Sequence, residues 1–266
     1  MTQFLKAGTV LFVTGSTGIA ADTARLAARD GASVFVISRT DQHCKELTGE
    51  IIEAGGSCDY AATELTKSDE VESAVRKCVD RFGKIDSLFN VAGISGRKFG
   101  DGPIHECTEE GWDLTLDTNV KSMFLVCREV LKQMMRQEVD VDGIRGTILN
   151  MASVLAFSPE PNYFATHAYA ASKGAIIALS KSMASYYAEH RIRVNVIAPA
   201  LVRTPMSMRA QTNPAILEKM KTKQPLCSEL IDSEDVARAA LFLLGNSSAM
   251  ITGDVLNVDA GWCVSG

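Results

Sequence analysis

The sequence predicts an α/β fold: a doubly wound parallel sheet of about seven strands with helices on both faces. Three observations carry this expectation. Short β-branched runs alternate with longer stretches of helical composition along the whole chain. Runs such as Val34-Phe35-Val36-Ile37 are apolar at every position, as strands covered on both faces are. The first such run leads straight into a glycine-bearing turn and then an alanine-rich stretch, the strand–turn–helix unit that opens many doubly wound sheets.

In order along the chain, residues 10–14 form the first strand, followed by the glycine turn and a helix reaching about Asp30. Residues 33–37 form the second strand, 42–54 a helix, 58–62 a strand and 68–82 a helix. A strand at 85–91 precedes two successive helices within 108–137, the second starting near Asn119. Then come a strand at 146–151, a long helix at 167–190, a strand at 193–197, a helix at 233–244 and a last short strand at 255–258. Residues 203–230 break the alternation. They hold Pro205, Pro214 and Pro225, with Met206 and Met208 at their start. An insertion placed after a strand's carboxyl end is where a substrate lid sits. No linker, repeat or low-complexity stretch divides the chain, so residues 1–266 are read as a single domain.

Composition narrows the function. Apolar residues make up 46% and charged residues 22% of the 266 positions, which is ordinary for a globular chain. The net charge of -5, without any Lys/Arg block, argues against nucleic acid as a partner. No run approaches the ~20 apolar residues of a membrane helix, and Met1-Thr2-Gln3-Phe4-Leu5-Lys6 has no signal-peptide core. The seven cysteines include no Cys-x-x-Cys pair, and the four histidines show no ligand spacing. Neither a disulfide framework nor a metal site is expected, and the reduced thiols fit a cytoplasmic protein.

The first turn reads Thr14-Gly15-Ser16-Thr17-Gly18-Ile19-Ala20-Ala21. Glycines there permit a tight turn and close approach to a pyrophosphate, and the helix N-terminus behind them favours negative charge. The second strand ends in Ser38-Arg39-Thr40, where the adenosine ribose of a dinucleotide lies. An acid at that place would bond a free ribose and repel a 2′-phosphate. Ser38 and Arg39 instead offer a hydroxyl and a guanidinium, which suits phosphate. NADP(H) is therefore expected over NAD(H), with Asp41 next door weighing slightly the other way.

Tyr169 and Lys173 stand four residues apart at the start of the long helix, on one helix face. A lysine ammonium beside a tyrosine favours the phenolate and lowers its pKa from about 10. Such a tyrosine can exchange a proton with an alcohol or ketone near neutral pH. Tyr163 has no lysine four residues on.

With Asn90-Val91-Ala92-Gly93, Asn119, Ser153, Asn195-x-x-x-Pro199 and the tail 251–261 in the same order, the chain resembles the compact, single-domain branch of the short-chain dehydrogenase/reductase family, from about Thr9 to its end. The resemblance implies a Rossmann-like fold and a catalytic tetrad. Tyr169 would be the acid/base. Lys173 would lower its pKa and hold the nicotinamide ribose, Ser153 would orient the reacting oxygen, and Asn119 would hold a water behind Lys173. It also implies cofactor contacts from Gly15, Ser16, Thr17, Gly18 and Ile19, from Ser38, Arg39 and Thr40, and from Glu64 and Leu65 at the adenine. Asn90, Ala92 and Gly93 would flank the adenosine ribose, and Pro199, Val202 and Thr204 the nicotinamide amide. Asn195 is read as a tie between strands rather than a ligand.

Two departures stand out. The glycine turn is one residue shorter than is usual in this branch, and the loop from Ser153 to Tyr169 is longer. Glu64-Leu65 replaces the usual Asp-Val, and Ala200 a usual Gly. The leading expectation is an oxidoreductase moving hydride between NADP(H) and a secondary alcohol or ketone, mainly by ketone reduction. The alternatives are an NAD-dependent alcohol or sugar dehydrogenase, an epimerase or dehydratase of the extended branch, and a non-catalytic dinucleotide sensor or scaffold. Pocket walls are expected from 94–103, 154–166 and 202–226. Phe99, Leu155, Phe157, Met206 and Met208 would mix there with Arg97, Lys98 and Asp101. The resemblance further implies a homodimer or homotetramer, built on the helices at 108–137 and 167–190 and on the tail.

Overall fold

The computed structural model describes residues 3–265. Its centre is a seven-stranded, wholly parallel sheet. In chain order the elements are β1 (Val10–Thr14), α1 (Ile19–Arg29), β2 (Ser33–Ser38), α2 (Asp41–Glu53), β3 (Ser57–Ala62), α3 (Ser68–Phe82), β4 (Ser87–Asn90), α4 (Glu109–Leu116), α5 (Ser122–Met134), β5 (Gly146–Met151), α6 (His167–Tyr187), β6 (Ile192–Pro199), β7 (Val202–Arg203), α7 (Met208–Gln211), α8 (Pro214–Lys223), β8 (Ile231–Asp232), α9 (Ser233–Leu244) and β9 (Val255–Val258). The strand order is β3-β2-β1-β4-β5-β6-β9. The chain reverses direction across the sheet between β1 and β4, the crevice where open α/β sheets bind ligands.

Alternate residues of each strand feed opposite layers, as the two-residue period demands. Val10 and Phe12 pack with Phe35, Leu88 and Ile148 against α3, α5 and α6. Leu11 and Val13 pack with Val34, Phe89 and Leu149 against α1, α2 and α9. The glycine turn is thereby pinned, because β1 is buried along its whole length and its register to β2 and β4 is set by packing on both faces.

The elements follow the sequence reading with three instructive differences. The strand expected at 85–91 is shortened to Ser87–Asn90. The helix expected to reach His190 ends at Tyr187. The two helices expected within 108–137 run into each other through a wide π-turn, Asp117–Lys121, which carries Asn119. A π-turn widens the helix by one residue and turns a side chain out of its usual row. Here that side chain is the fully buried Asn119.

The 203–230 insertion is anchored rather than loose. Its base is the small parallel pair β7–β8. Asn213 caps α8 by accepting from Ala215 N at 3.0 Å and Ile216 N at 3.3 Å, with Pro214 following, a start that favours helix. Asn195 donates to the Ile251 carbonyl at 2.8 Å and accepts from Asp254 N at 3.1 Å, tying β6 to the run before β9. Among the described residues, no helix is long and apolar enough to cross a membrane.

Candidate active site

The carboxyl ends of β1, β2, β4, β5 and β6 open onto one cavity of about 510 Å³. One end is the glycine turn. Gly15 has φ +101° and Gly18 has φ +55°, backbone shapes that side chains disfavour. A Cβ on Gly18 would lie 3.0 Å from Thr204 Cγ2. Gly18 is the N-cap of α1, and no side chain caps it. The first N–H groups of α1 therefore lack helix partners, and Ser16, Thr17, Gly18, Ile19 and Ala20 all line the cavity. An uncapped helix end behind a glycine cradle fits the pyrophosphate of a dinucleotide. The shorter turn thus still presents an uncapped helix start to the cavity. Thr14, which sequence reasoning passed over, ties this turn to the next one: its hydroxyl accepts from Val91 N at 2.9 Å and Ala92 N at 3.1 Å.

At the far side of the glycine turn, Ser38, Thr40 and His43 line the cavity. Arg39 stands exposed between the first two and does not line it. The Asp41 carboxylate is engaged by the Tyr60 hydroxyl, one reason the phenol is held above its ordinary value after burial itself. Glu64 and Leu65 are also outside the lining: Glu64 accepts from the Thr66 hydroxyl at 3.0 Å, and Leu65 is in the core. Asn90 points into the sheet instead, with Nδ2 donating to Asn150 Oδ1 at 2.9 Å and its own Oδ1 without a partner. Ala92 and Gly93, with Val91, form the wall there.

Ser153, Tyr169 and Lys173 also line the cavity, as do Pro199, Val202 and Thr204. Ser153 follows β5 directly. Its hydroxyl donates to the Pro199 carbonyl at 3.5 Å and accepts from Leu155 N at 3.2 Å. Tyr169 and Lys173 come from the first turns of α6. That helix start is fastened by a residue from another loop: the buried Asp101 carboxylate accepts from Ala168 N at 3.0 Å and Tyr169 N at 2.9 Å. A carboxylate suits the positive end of a helix. Asp101 was expected on the pocket wall, and the structure places it beneath the start of α6. A sequence carries little signal for such a long-range cap.

Asn119 sits behind Gly93 and does not line the cavity. Its Oδ1 accepts from Ile94 N at 2.8 Å, and its Nδ2 donates to the Ile94 carbonyl and to Ser172 Oγ, each at 3.0 Å. A Cβ on Gly93 would come within 2.8 Å of Asn119 Oδ1 and 3.7 Å of Lys173 Nζ. The asparagine thus locks the 93–94 turn against α6.

The electrostatics correct one expectation. Lys173 Nζ lies over the Tyr169 ring, 5.5 Å from its centre, and donates to the Met151 carbonyl at 2.9 Å. Burial pushes this lysine down to about 8. Burial also raises the Tyr169 phenol, and the neighbouring Ser153 hydroxyl draws it back. In this arrangement Ser153, not Lys173, opposes the rise. The ammonium sits over the ring, 5.5 Å from its centre, and does not contribute to lowering the phenol.

The remaining end of the cavity is lined by Leu155, Phe164, Met206, Met208 and Trp262, with Arg97, Lys98 and Arg209. Phe99 and Phe157, expected here, are exposed outside it. Trp262 forms the floor. It is buried, donates from Nε1 to the Ser158 carbonyl at 3.1 Å, and meets Phe164 edge-on at 5.9 Å. Neither Trp262 nor Arg209 is marked by local sequence pattern, since both arrive from segments remote from the tetrad. Among the described residues, no group of three or more His, Cys, Asp or Glu side chains is placed to hold a metal.

Comparison with known proteins agrees with this geometry. Residues 13–263 match the family model described as Enoyl-(Acyl carrier protein) reductase. The 3-oxoacyl-(acyl-carrier-protein) reductase FabG of Thermotoga maritima is 32% identical over 96% of this chain and 97% of its own. The A-factor type gamma-butyrolactone 1'-reductase of Streptomyces virginiae is 32% identical over 98% of both chains. Among solved structures, a short-chain type dehydrogenase/reductase from Mycobacterium ulcerans superimposes with a TM-score of 0.89 at 27% identity, covering 98% of this chain and 92% of its own.

Proposed function

The chain belongs to the short-chain dehydrogenase/reductase family and is an NAD(P)-dependent oxidoreductase acting on CH–OH groups; from that premise we propose that it reduces a ketone with NADPH. The observation that carries the proposal is the convergence of Ser153, Tyr169 and Lys173 on a cavity whose other end is the uncapped N-terminus of α1. The cofactor supplies the hydride. The protein supplies the proton and the alignment. Tyr169, kept protonated by its burial, is suited to protonate the ketone oxygen as negative charge develops there. The Ser153 hydroxyl, beside the phenol, holds that oxygen in place. Lys173, close to half-charged near its value of about 8, stands behind Tyr169 to hold the nicotinamide ribose and return the proton.

Three features support NADP(H). Arg39 stands exposed and available at the adenosine end. The nearby acid Asp41 lies outside the cavity lining. Among the described residues, no aspartate or glutamate lines the cavity. That Arg39 is not itself in the lining favours the NAD(H) alternative, and a fluorescence titration separates the two. Preference for NADPH that is lost in Arg39→Ala supports the first reading; preference for NADH selects the second. The 203–230 segment is read as the lid, since Met206, Met208 and Arg209 close over the cavity. A homodimer or homotetramer is supported by Leu114, Phe124 and Tyr186, large apolar side chains exposed on α4, α5 and α6.

The decisive variant is Tyr169→Phe. NADPH should bind it normally while turnover falls by about 10²–10⁴, the usual range for losing a general acid. Undiminished turnover would remove Tyr169 from the chemistry, and with it the mechanism.

A further inference from the structure

We infer that the substrate carries an oxyanion group, a carboxylate or phosphate, which seats between Arg97 and Arg209 while its ketone meets Tyr169; the inference rests on the ketone-reductase reading above. The two guanidiniums come from different parts of the chain. Arg97 stands on the short 3-10 turn Arg97–Phe99 after β4, and Arg209 on α7 in the lid. Both point at one atom: Arg97 Nη2 donates to the Tyr163 carbonyl at 3.2 Å and Arg209 Nη2 donates to the same oxygen at 2.8 Å. Their donor nitrogens therefore lie no more than about 6 Å apart, close enough for one planar oxyanion to bridge two such forks. Arg209 is exposed overall, and partial desolvation of its guanidinium together with the like charge of Arg97 holds it below its ordinary value.

Two like charges brought together need a reason or a counter-ion. Among the described residues no carboxylate lines the cavity, and Lys98 adds a third cation to that lining. Each guanidinium has five N–H donors, and the shared carbonyl occupies one on each. The Arg209 guanidinium lies 5.7 Å from the centre of the Phe164 ring, which fixes its plane without neutralising it. Arg209 packs on Phe164, which meets Trp262, whereas the cofactor's phosphates have their own site at the glycine turn and the uncapped start of α1. What remains to be neutralised at the substrate end is the substrate. The pair also spans the 94–103 turn, the lid and the 157–167 loop, so an anion seated there draws the lid onto the cavity.

The test is a specificity ratio. A short 3-oxo acid, its neutral methyl ester and a ketone phosphate monoester of equal length are compared as NADPH-dependent substrates of the wild type, Arg97→Met, Arg209→Met and the double variant. The expected result is a kcat/KM preference for an anionic ketone over the ester of at least about tenfold per guanidinium. That preference shrinks as salt rises and is abolished in the double variant, and the favoured anion identifies carboxylate or phosphate as the handle. NADPH affinity in each variant reports that it is folded. Equal use of acid, phosphate and ester by the wild type, or a preference that survives the double substitution, overturns the inference and leaves the arginines as ties for the Tyr163 carbonyl. If no ketone is turned over, the reductase reading fails separately. Calorimetric titration of the acid, phosphate and ester with NADP⁺ present then decides the anion site by itself: anion binding lost in the double variant upholds it, and no anion binding in the wild type overturns it.

Discussion

The titration of Lys173 has a measurable consequence for stability. Its side chain is 3% exposed, and burial lowers it from 10.5 to about 8. That gap amounts to roughly 3 kcal/mol of penalty on the charged form in the folded protein. The unfolded chain keeps the lysine proton up to 10.5, whereas the folded protein releases it near 8. Between those values the unfolded state binds one more proton, so folded stability rises with pH by about 1.4 kcal/mol per pH unit from this group. Below 8 both states are protonated and the folded protein bears the whole penalty. Lys173→Met carries no such penalty at any pH. The difference in unfolding free energy, wild type minus Lys173→Met, should be flat below about pH 7 and climb by about 2 kcal/mol on reaching pH 9.5. Urea unfolding of both cofactor-free proteins across pH 6–9.5 measures it, and titrations common to both, including the buried thiols, cancel in the difference. The raised Tyr169 phenol titrates above this window. A difference that stays level to pH 9.5, or falls, would refute burial as the controlling force on Lys173.

Other perturbations test the remaining supports. Gly18→Ala forces a side chain into φ +55° with its Cβ 3.0 Å from Thr204 Cγ2; it should destabilise the fold by about 1–3 kcal/mol and weaken NADPH binding at least about tenfold, read by thermal unfolding and fluorescence titration. Asp101→Ala removes the acceptor for Ala168 N and Tyr169 N, with an expected cost of about 1–3 kcal/mol and a lower kcat at little-changed NADPH affinity. Phe124→Asp places a charge on the exposed apolar face of α5; light scattering should show a smaller assembly, and an unchanged mass would remove α5 from the interface.

The glycine turn, the strands and the Tyr169–Lys173 pair were legible because each is a local pattern. A strand buried on both faces must be largely apolar, and β1 is so from Val10 to Val13 before Thr14 ends it; a helix places residues four apart on one face, and α6 does so. The departures arose where local pattern and three-dimensional neighbourhood part company. Asn90 follows a ribose-flanking pattern, yet its amide turns inward to Asn150. Phe157 lies in the expected wall, yet its loop folds so that Leu155 and Phe164 face the cavity instead.

The sequence by itself determined the layered parallel sheet, the position of the glycine turn after β1 and the pairing of Tyr169 with Lys173 on one helix, because hydrophobic period, glycine placement and helical spacing act over a few residues. Only the tertiary structure decided how those residues are tuned and what stands across from them. Burial, not spacing, moves Lys173 down and Tyr169 up; Asp101 reaches α6 from a distant loop; and Arg97 and Arg209 become neighbours only because both reach the Tyr163 carbonyl from separate segments. Desolvation and charge proximity depend on the packed neighbours of a group in space, and a linear pattern does not encode them at any fixed offset.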